Sequence, residues 1–200
     1  MKFKNKNIWF SSDAHFGHTN IASPTISKWK KGYRNFKDLN DMNQTLIDSY
    51  NKYIGENDIF IYGGDWSFGG KENIEKFRKA LNVKEIYLTY GNHDKHIRKY
   101  SEYKSLFTYC TNNIFGLFNN VEMYINHYSH QIWENSHKGS IHLFGHSHGS
   151  LEGIGRSMDI GVDNAYKITG EYRPFHLDEI ITMMNKIEIH KIDHHGAETN

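Results

Sequence analysis

Apolar positions along the chain fall into short compact runs and helical spacings. Ile8-Trp9-Phe10-Ser11-Ser12 is a β-rich run that leads straight into Asp13-Ala14-His15. A polar loop with scattered aromatics follows to about Lys37, and Asp38 can cap a helix. Leu39, Met42, Leu46, Ile47, Tyr50, Tyr53 and Ile54 then recur at helical spacing, with Gly55 as a stop. Ile59-Phe60-Ile61-Tyr62 reads as a buried strand ending at Gly63-Gly64-Asp65. Ile74, Phe77 and Leu81 share one face of a second helix. Glu85 to Tyr90 is a third strand, ending at Gly91-Asn92-His93-Asp94. The order β-α-β-α-β predicts an α/β core.

The second half is richer in strands. Val121 to Asn126 predicts a strand ending at His127, and Ile141 to Phe144 another ending at Gly145-His146-Ser147-His148. Ser157 to Val162 is a further strand candidate, and Leu177 to Ile187 carries a helical apolar pattern that closes the domain. From His190 on, the chain reads as a loose tail. No repeat, linker or low-complexity segment divides the sequence, so residues 1–200 are expected to form one domain.

Composition narrows the classes. Apolar residues make up 38% and charged residues 24%, as in ordinary soluble proteins. The formal net charge of +1 demands neither a polyanion nor a membrane surface as partner. One cysteine, Cys110, rules out an intramolecular disulfide and a cysteine metal site; a packing role is expected for it. The apolar run at Ile8 is too short for a signal sequence or a membrane span, so a cytoplasmic protein is expected.

Histidine is the outlier, with 14 residues. Three lie in the tail (His190, His194, His195), and His130, His137 and His142 read as bystanders. Several of the others fall at strand ends beside Asp, Asn and Gly, where open α/β sheets bind ligands. Any one such cluster is more simply a turn or a helix cap. Five in one short chain make independent accidents improbable. Asp and Asn supply oxygen donors and neutral imidazoles supply nitrogen, which suits divalent cations of hard or borderline type. Asp13 and His15 are two apart, as are His146 and His148, so each pair can turn toward one site. Asp65 follows two glycines, and its carboxylate has two oxygens with which to bridge.

Asp13-x-His15, Gly64-Asp65, Gly91-Asn92-His93-Asp94, His127 and Gly145-His146-Ser147-His148, in that order, resemble the signature of the calcineurin-like metallophosphoesterases. The resemblance spans about residues 8 to 165. Asp13 through Asn20 and Gly161-Val162-Asp163 further resemble a compact bacterial and phage branch. Gly63 stands where many relatives have an apolar residue. The resemblance implies an αββα sandwich of two mixed sheets flanked by helices. It implies one metal on Asp13, His15, Asp65 and His148, and a second on Asp65, Asn92, His127 and His146. It gives His93 the catalytic role and Asp94 the task of orienting it.

The expected activity is hydrolysis of a small phosphoester, above all a nucleotide or cyclic-nucleotide diester, by a water activated between two divalent ions. Manganese is the first expectation, with Fe, Zn, Ni or Co as alternatives. His18, Asn20 and Arg34 are candidate phosphate contacts, and Trp66 a candidate base-stacking surface. The alternatives are a phosphomonoesterase, a protein phosphatase or a nuclease on polymeric nucleic acid, for which Lys28, Lys30, Lys31 and Arg34 form only a modest basic cluster. From another class, the alternatives are a non-catalytic binding scaffold of the same fold and a metal-storage or metal-sensing protein.

Overall fold

The computed structural model describes residues 1–189, so the tail expected from His190 lies outside the described residues. Ten strands, seven α-helices and a short 3-10 helix at Ser136–Lys138 form among them. The first half holds β1 (Lys2–Phe3), β2 (Ile8–Ser11), α1 (Thr19–Ala22), α2 (Leu39–Tyr53), β3 (Ile59–Tyr62), α3 (Lys71–Ala80), β4 (Glu85–Thr89), α4 (Lys95–Lys99) and α5 (Ser101–Lys104). The second holds β5 (Tyr109–Thr111), β6 (Asn113–Phe118), β7 (Val121–Asn126), β8 (Ile141–Phe144), β9 (Ser157–Asp159), α6 (Val162–Thr169), β10 (Phe175–His176) and α7 (Leu177–Met184).

Local chemistry explains the main boundaries. Asp38 caps α2 by accepting from the Asp41 amide at 2.9 Å, and Met42, Leu46 and Tyr50 form the buried stripe. α3 buries Ile74 and Phe77 in the same manner. The strands assemble into two five-stranded sheets, ordered β10-β2-β3-β4-β5 and β1-β6-β7-β8-β9. β2 to β5 run parallel and β10 is antiparallel to β2. In the other sheet only β6 and β7 pair antiparallel.

Alternation along the strands divides the core into two layers. Ile8, Phe10, Ile59 and Ile61 face Ile125, Leu143 and Met158 of the opposite sheet. Phe60, Tyr62, Ile86 and Leu88 face the other way and pack under α2 and α3. The parallel register β2-β3-β4 brings Ser11 level with Tyr62 and Leu88, so the loops that follow leave from one edge. No helix among the described residues is long and apolar enough to cross a membrane.

Two expected elements change. The strand expected over 157–162 ends at Asp159, because its carboxylate accepts the Gly161 amide at 2.7 Å and turns the chain into α6. The helix expected over 177–187 stops at Met184. β6 was not among the expected strands, and its Ile114 and Phe118 are buried in regular pairing with β7.

His142, a bystander by sequence, lies on the outer face of β8 and is fully buried under Trp133, with ring centroids 5.3 Å apart. Its Nδ1 lies 3.0 Å from the Tyr124 carbonyl, and its Nε2 accepts the His130 amide at 3.1 Å. Those partners suit a neutral ring, and burial lowers its pKa from 6.5 to about 4. The unfolded chain therefore takes up a proton that the folded chain refuses, and stability falls as pH drops from 6.5 toward 4. Urea unfolding at pH 7.5 and pH 5 should show a loss of about 2 kcal/mol from this residue. The His142→Gln variant should show a correspondingly shallower pH dependence; an unchanged slope contradicts the assignment.

Candidate metal centre

The loops leaving β2, β3, β4, β7 and β8 converge at one edge of the sandwich. They bring two groups of donors together: Asp13, His15 and His148, and Asp65, His127 and His146. Within each group the donor atoms all lie within 4.8 Å of one another. Asp65 joins the two. Its Oδ2 is 3.5 Å from His15 Nε2 and 3.5 Å from His127 Nε2. Asn92 adds an oxygen to the second group, 3.1 Å from His127 Nε2 and 3.0 Å from His146 Nδ1.

The backbone is bent to achieve this. Asp13, His15, Asp65, His146 and His148 have φ of 55°, 51°, 58°, 67° and 50°. The remaining non-glycine residues with positive φ among the described residues are all asparagines, which tolerate that region. For Asp and His the left-handed conformation costs on the order of 1 kcal/mol each, and such strain concentrates at functional sites. Asp13-Ala14-His15 and His146-Ser147-His148 use the same device: two left-handed residues flank one that is not, and both side chains turn to the same side. Close approach does the rest. A Cβ on Gly91 would overlap Asp65 Oδ1, and one on Gly145 would overlap Asp13 Oδ2.

Buried partners hold the donors. Asp13 Oδ2 accepts from Ser12 Oγ at 2.5 Å and from the His146 amide at 2.9 Å, tying the two sheets together. His127 Nδ1 lies 2.8 Å from the Gly63 carbonyl, which leaves Nε2 for the site. His148 Nδ1 lies 2.6 Å from Asp163 Oδ2. Arg34 in turn donates to both Asp163 oxygens, at 2.7 and 2.8 Å, and to the carbonyls of Asp13 and Ala14. Arg34, Asp163 and His148 thus form a chain of the carboxylate–histidine kind that fixes a ligand ring. Asp159 accepts from Ser147 Oγ and the Gly149 amide, pinning the His146–His148 turn.

This arrangement corrects three expectations. Arg34 is not an anion clamp: it is 3% exposed and fully engaged behind the site. Trp66 is not a base-stacking surface: it is fully buried against Phe16, Tyr62 and Phe107. Asp94 does not orient the His93 ring. Its oxygens accept the backbone amides of Asp65, Trp66 and Gly91 at 2.8, 2.9 and 2.8 Å, so it shapes the turn that carries Asp65. His93 is 41% exposed at its side chain, 3.9 Å from Asp65 Oδ2 and outside both donor groups. His18 lies 3.3 Å from His15 Nδ1 and stacks on Phe68, while Asn20 accepts the Lys28 amide at 3.2 Å. Asp163 and Asp159 are supporting residues of the site that sequence reasoning missed, although Gly161-Val162-Asp163 is one of the motifs that carry the resemblance.

The donors suit divalent cations. Asp13 Oδ1 and His15 Nε2 are buried without a hydrogen-bond partner. They are 3.7 Å apart, too long for a hydrogen bond and in keeping with two donors on one ion at about 2.1 Å each. The charges agree. Burial works to raise the Asp13 carboxyl, but His15, His127 and His148 outweigh it and bring it down to about 2. Burial works to lower His127, but the hydrogen bond to Asp65 and the charges of Asp13 and Asp65 raise it to about 9. A proton on His127 therefore occupies the place a cation would take. Binding at that group must release the proton, so affinity rises with pH up to about 9 and then levels. Titration calorimetry with Mn²⁺ from pH 7 to 9 should show up to about tenfold tighter binding per pH unit. An affinity independent of pH contradicts this reading.

An uncharacterized protein from Methanocaldococcus jannaschii is 27% identical over 188 residues, covering 90% of this chain and 93% of that one. A protein of unknown function from Aquifex aeolicus shares the fold, with a TM-score of 0.64 at 20% identity over 90% of this chain and 100% of that one. The structure of an archaeal phosphodiesterase aligns with a TM-score of 0.48 at 22% identity, over 86% of this chain and 99% of that one. Residues 6–177 match the model of the calcineurin-like phosphoesterases, and the chain belongs to that family.

Proposed function

We propose that the protein is a binuclear metal-dependent phosphodiesterase acting on nucleotide-type substrates. The observation that carries this reading is the pair of donor groups with Asp65 Oδ2 3.5 Å from a histidine of each, and with His93 at their rim outside both. One cation would be held by Asp13, His15, Asp65 and His148, the other by Asp65, Asn92, His127 and His146. When bound, such ions supply Lewis acidity that activates a water and offsets charge on phosphate oxygens, and Mn²⁺ suits the mixed N and O donors.

The chain supplies the rest. His93 carries a proton to the leaving oxygen from the solvent side of Asp65. Its own backbone amide donates to Asp65 Oδ1 at 2.8 Å, so the ring and the shared carboxylate are set by one turn. Asp94 and the Arg34–Asp163 pair are positioning residues, which keep the donors in place before substrate arrives. His93 and His146 are exposed, and an open site of this kind accommodates a diester with groups on both sides.

The test is hydrolysis of bis-p-nitrophenyl phosphate against p-nitrophenyl phosphate, with Mn²⁺ and with chelator. The diester should turn over at least about tenfold faster, and chelator should abolish the reaction. Preference for the monoester, or turnover that survives chelation, would sink the proposal.

A further inference from the structure

We propose that the substrate is a phosphodiester bearing a nucleobase on each side, and that Trp29 and Tyr128 are the surfaces on which those bases stack. This rests on the phosphodiesterase reading above and names the substrate class of the same site.

Two large exposed aromatic rings flank the donor groups, Tyr128 against one of them and Trp29 one ring removed from the other. Tyr128 is 46% exposed. Its ring centroid lies 4.8 Å from His146 and 5.1 Å from His127, nearly edge-on to both. Trp29 is 43% exposed and stands edge-on to His18 at 5.2 Å. The His18 ring lies 5.4 Å from that of His15. Tyr128 therefore adjoins the Asp65/His127/His146 group directly and Trp29 reaches the Asp13/His15/His148 group through His18, with Asp65 Oδ2 3.5 Å from both His15 and His127. A diester phosphate at the centre would extend one substituent toward each ring.

The surroundings identify the substituents. Single exposed apolar residues are common and mean little alone. Trp29, however, sits between Lys28 and Lys30-Lys31, all exposed, and this mix of aromatic faces and cations is what binds bases joined by phosphates. Its loop is ordered from within: the Lys28 amide donates to Asn20 Oδ1 at 3.2 Å and the Trp29 amide to Ser27 Oγ at 3.0 Å. Beside it opens a cleft of about 450 Å³ whose lining includes the polar His18, Asn20 and Lys28 and the aromatic Phe68. A nucleoside has that pairing of a flat apolar face and polar edges. A lipid diester would need a continuous apolar patch, whereas Trp29 is flanked in sequence by exposed lysines.

The experiment compares wild type with Trp29→Ala, Tyr128→Ala and the conservative Trp29→Phe and Tyr128→Phe. Two Mn²⁺-dependent substrates are used: adenylyl-(3′,5′)-adenosine and the base-free diester methyl p-nitrophenyl phosphate. Each alanine variant should lose about tenfold in kcat/KM on the dinucleotide, mainly through KM, and the phenylalanine variants should recover most of it. On the base-free diester all variants should stay within about twofold of wild type. Equal turnover of the dinucleotide by all variants overturns the inference, and so does an equal loss on both substrates. If wild type cleaves neither diester, the esterase reading fails. Equilibrium dialysis of the dinucleotide then decides the inference by itself: weaker binding by the alanine variants supports it, and unchanged binding overturns it.

Discussion

Asp65→Asn should abolish metal-dependent turnover of bis-p-nitrophenyl phosphate, with a loss of roughly a thousandfold, or about 4 kcal/mol, in kcat/KM. Asp65 belongs to one donor group and its Oδ2 also reaches the other, 3.5 Å from both His15 and His127. An amide keeps the size and one oxygen, which can still accept the His93 backbone amide. It removes the negative charge and one of the two oxygens that would hold a cation. The fold should therefore persist, while metal content drops. A second readout separates this from general damage. Asp65 supplies the hydrogen bond and part of the charge that raise His127, so the His127 pKa should fall from about 9 in the metal-free variant. Histidine titration by NMR measures it directly. Full activity in the variant, or an unmoved His127, would contradict the shared-carboxylate geometry.

His93→Ala should lower kcat by about 10²- to 10⁴-fold with metal content unchanged. The ring is exposed and outside both donor groups, so its removal leaves the ligands and the core in place. If His93 protonates the leaving oxygen, the loss depends on how much the leaving group needs a proton. The drop should be larger for a phenyl diester than for a p-nitrophenyl diester, whose leaving oxygen is far more acidic. Equal losses on the two substrates would assign His93 to binding instead. Its neighbour Asp94 should respond differently. Because its oxygens hold the amides around Asp65, Asp94→Asn should reduce metal affinity before it changes leaving-group dependence.

Much of the architecture was legible because the chain signals it locally. Each of β2, β3, β4, β7 and β8 is a short apolar run that ends abruptly in Gly, Asp, Asn or His, and periodicity places them without tertiary information. Side-chain direction was not legible. Trp66 follows Asp65, which suggests a shared outlook, but the left-handed φ of Asp65 throws the next side chain into the core. Arg34 sits in a polar loop and looks free. Its partner Asp163 lies 129 residues away, and only the packed sandwich brings them together. His93 and Asp94 are adjacent, which invites pairing, yet Asp94 opens α4 and turns back onto the β3 loop. Ser157 to Val162 alternates like a strand; the carboxylate of Asp159 ends it by capturing the Gly161 amide. In each instance the missing information was a partner distant in sequence or a backbone angle that composition does not reveal.

In the proposed function one chain holds two cations and needs both. Chelator-treated protein titrated with Mn²⁺, with bis-p-nitrophenyl phosphate turnover followed at each addition, tests it most directly. Turnover should climb until about two equivalents are bound per chain and then stay level. Saturation at one equivalent, or activity that is complete before any metal is added, would contradict the account.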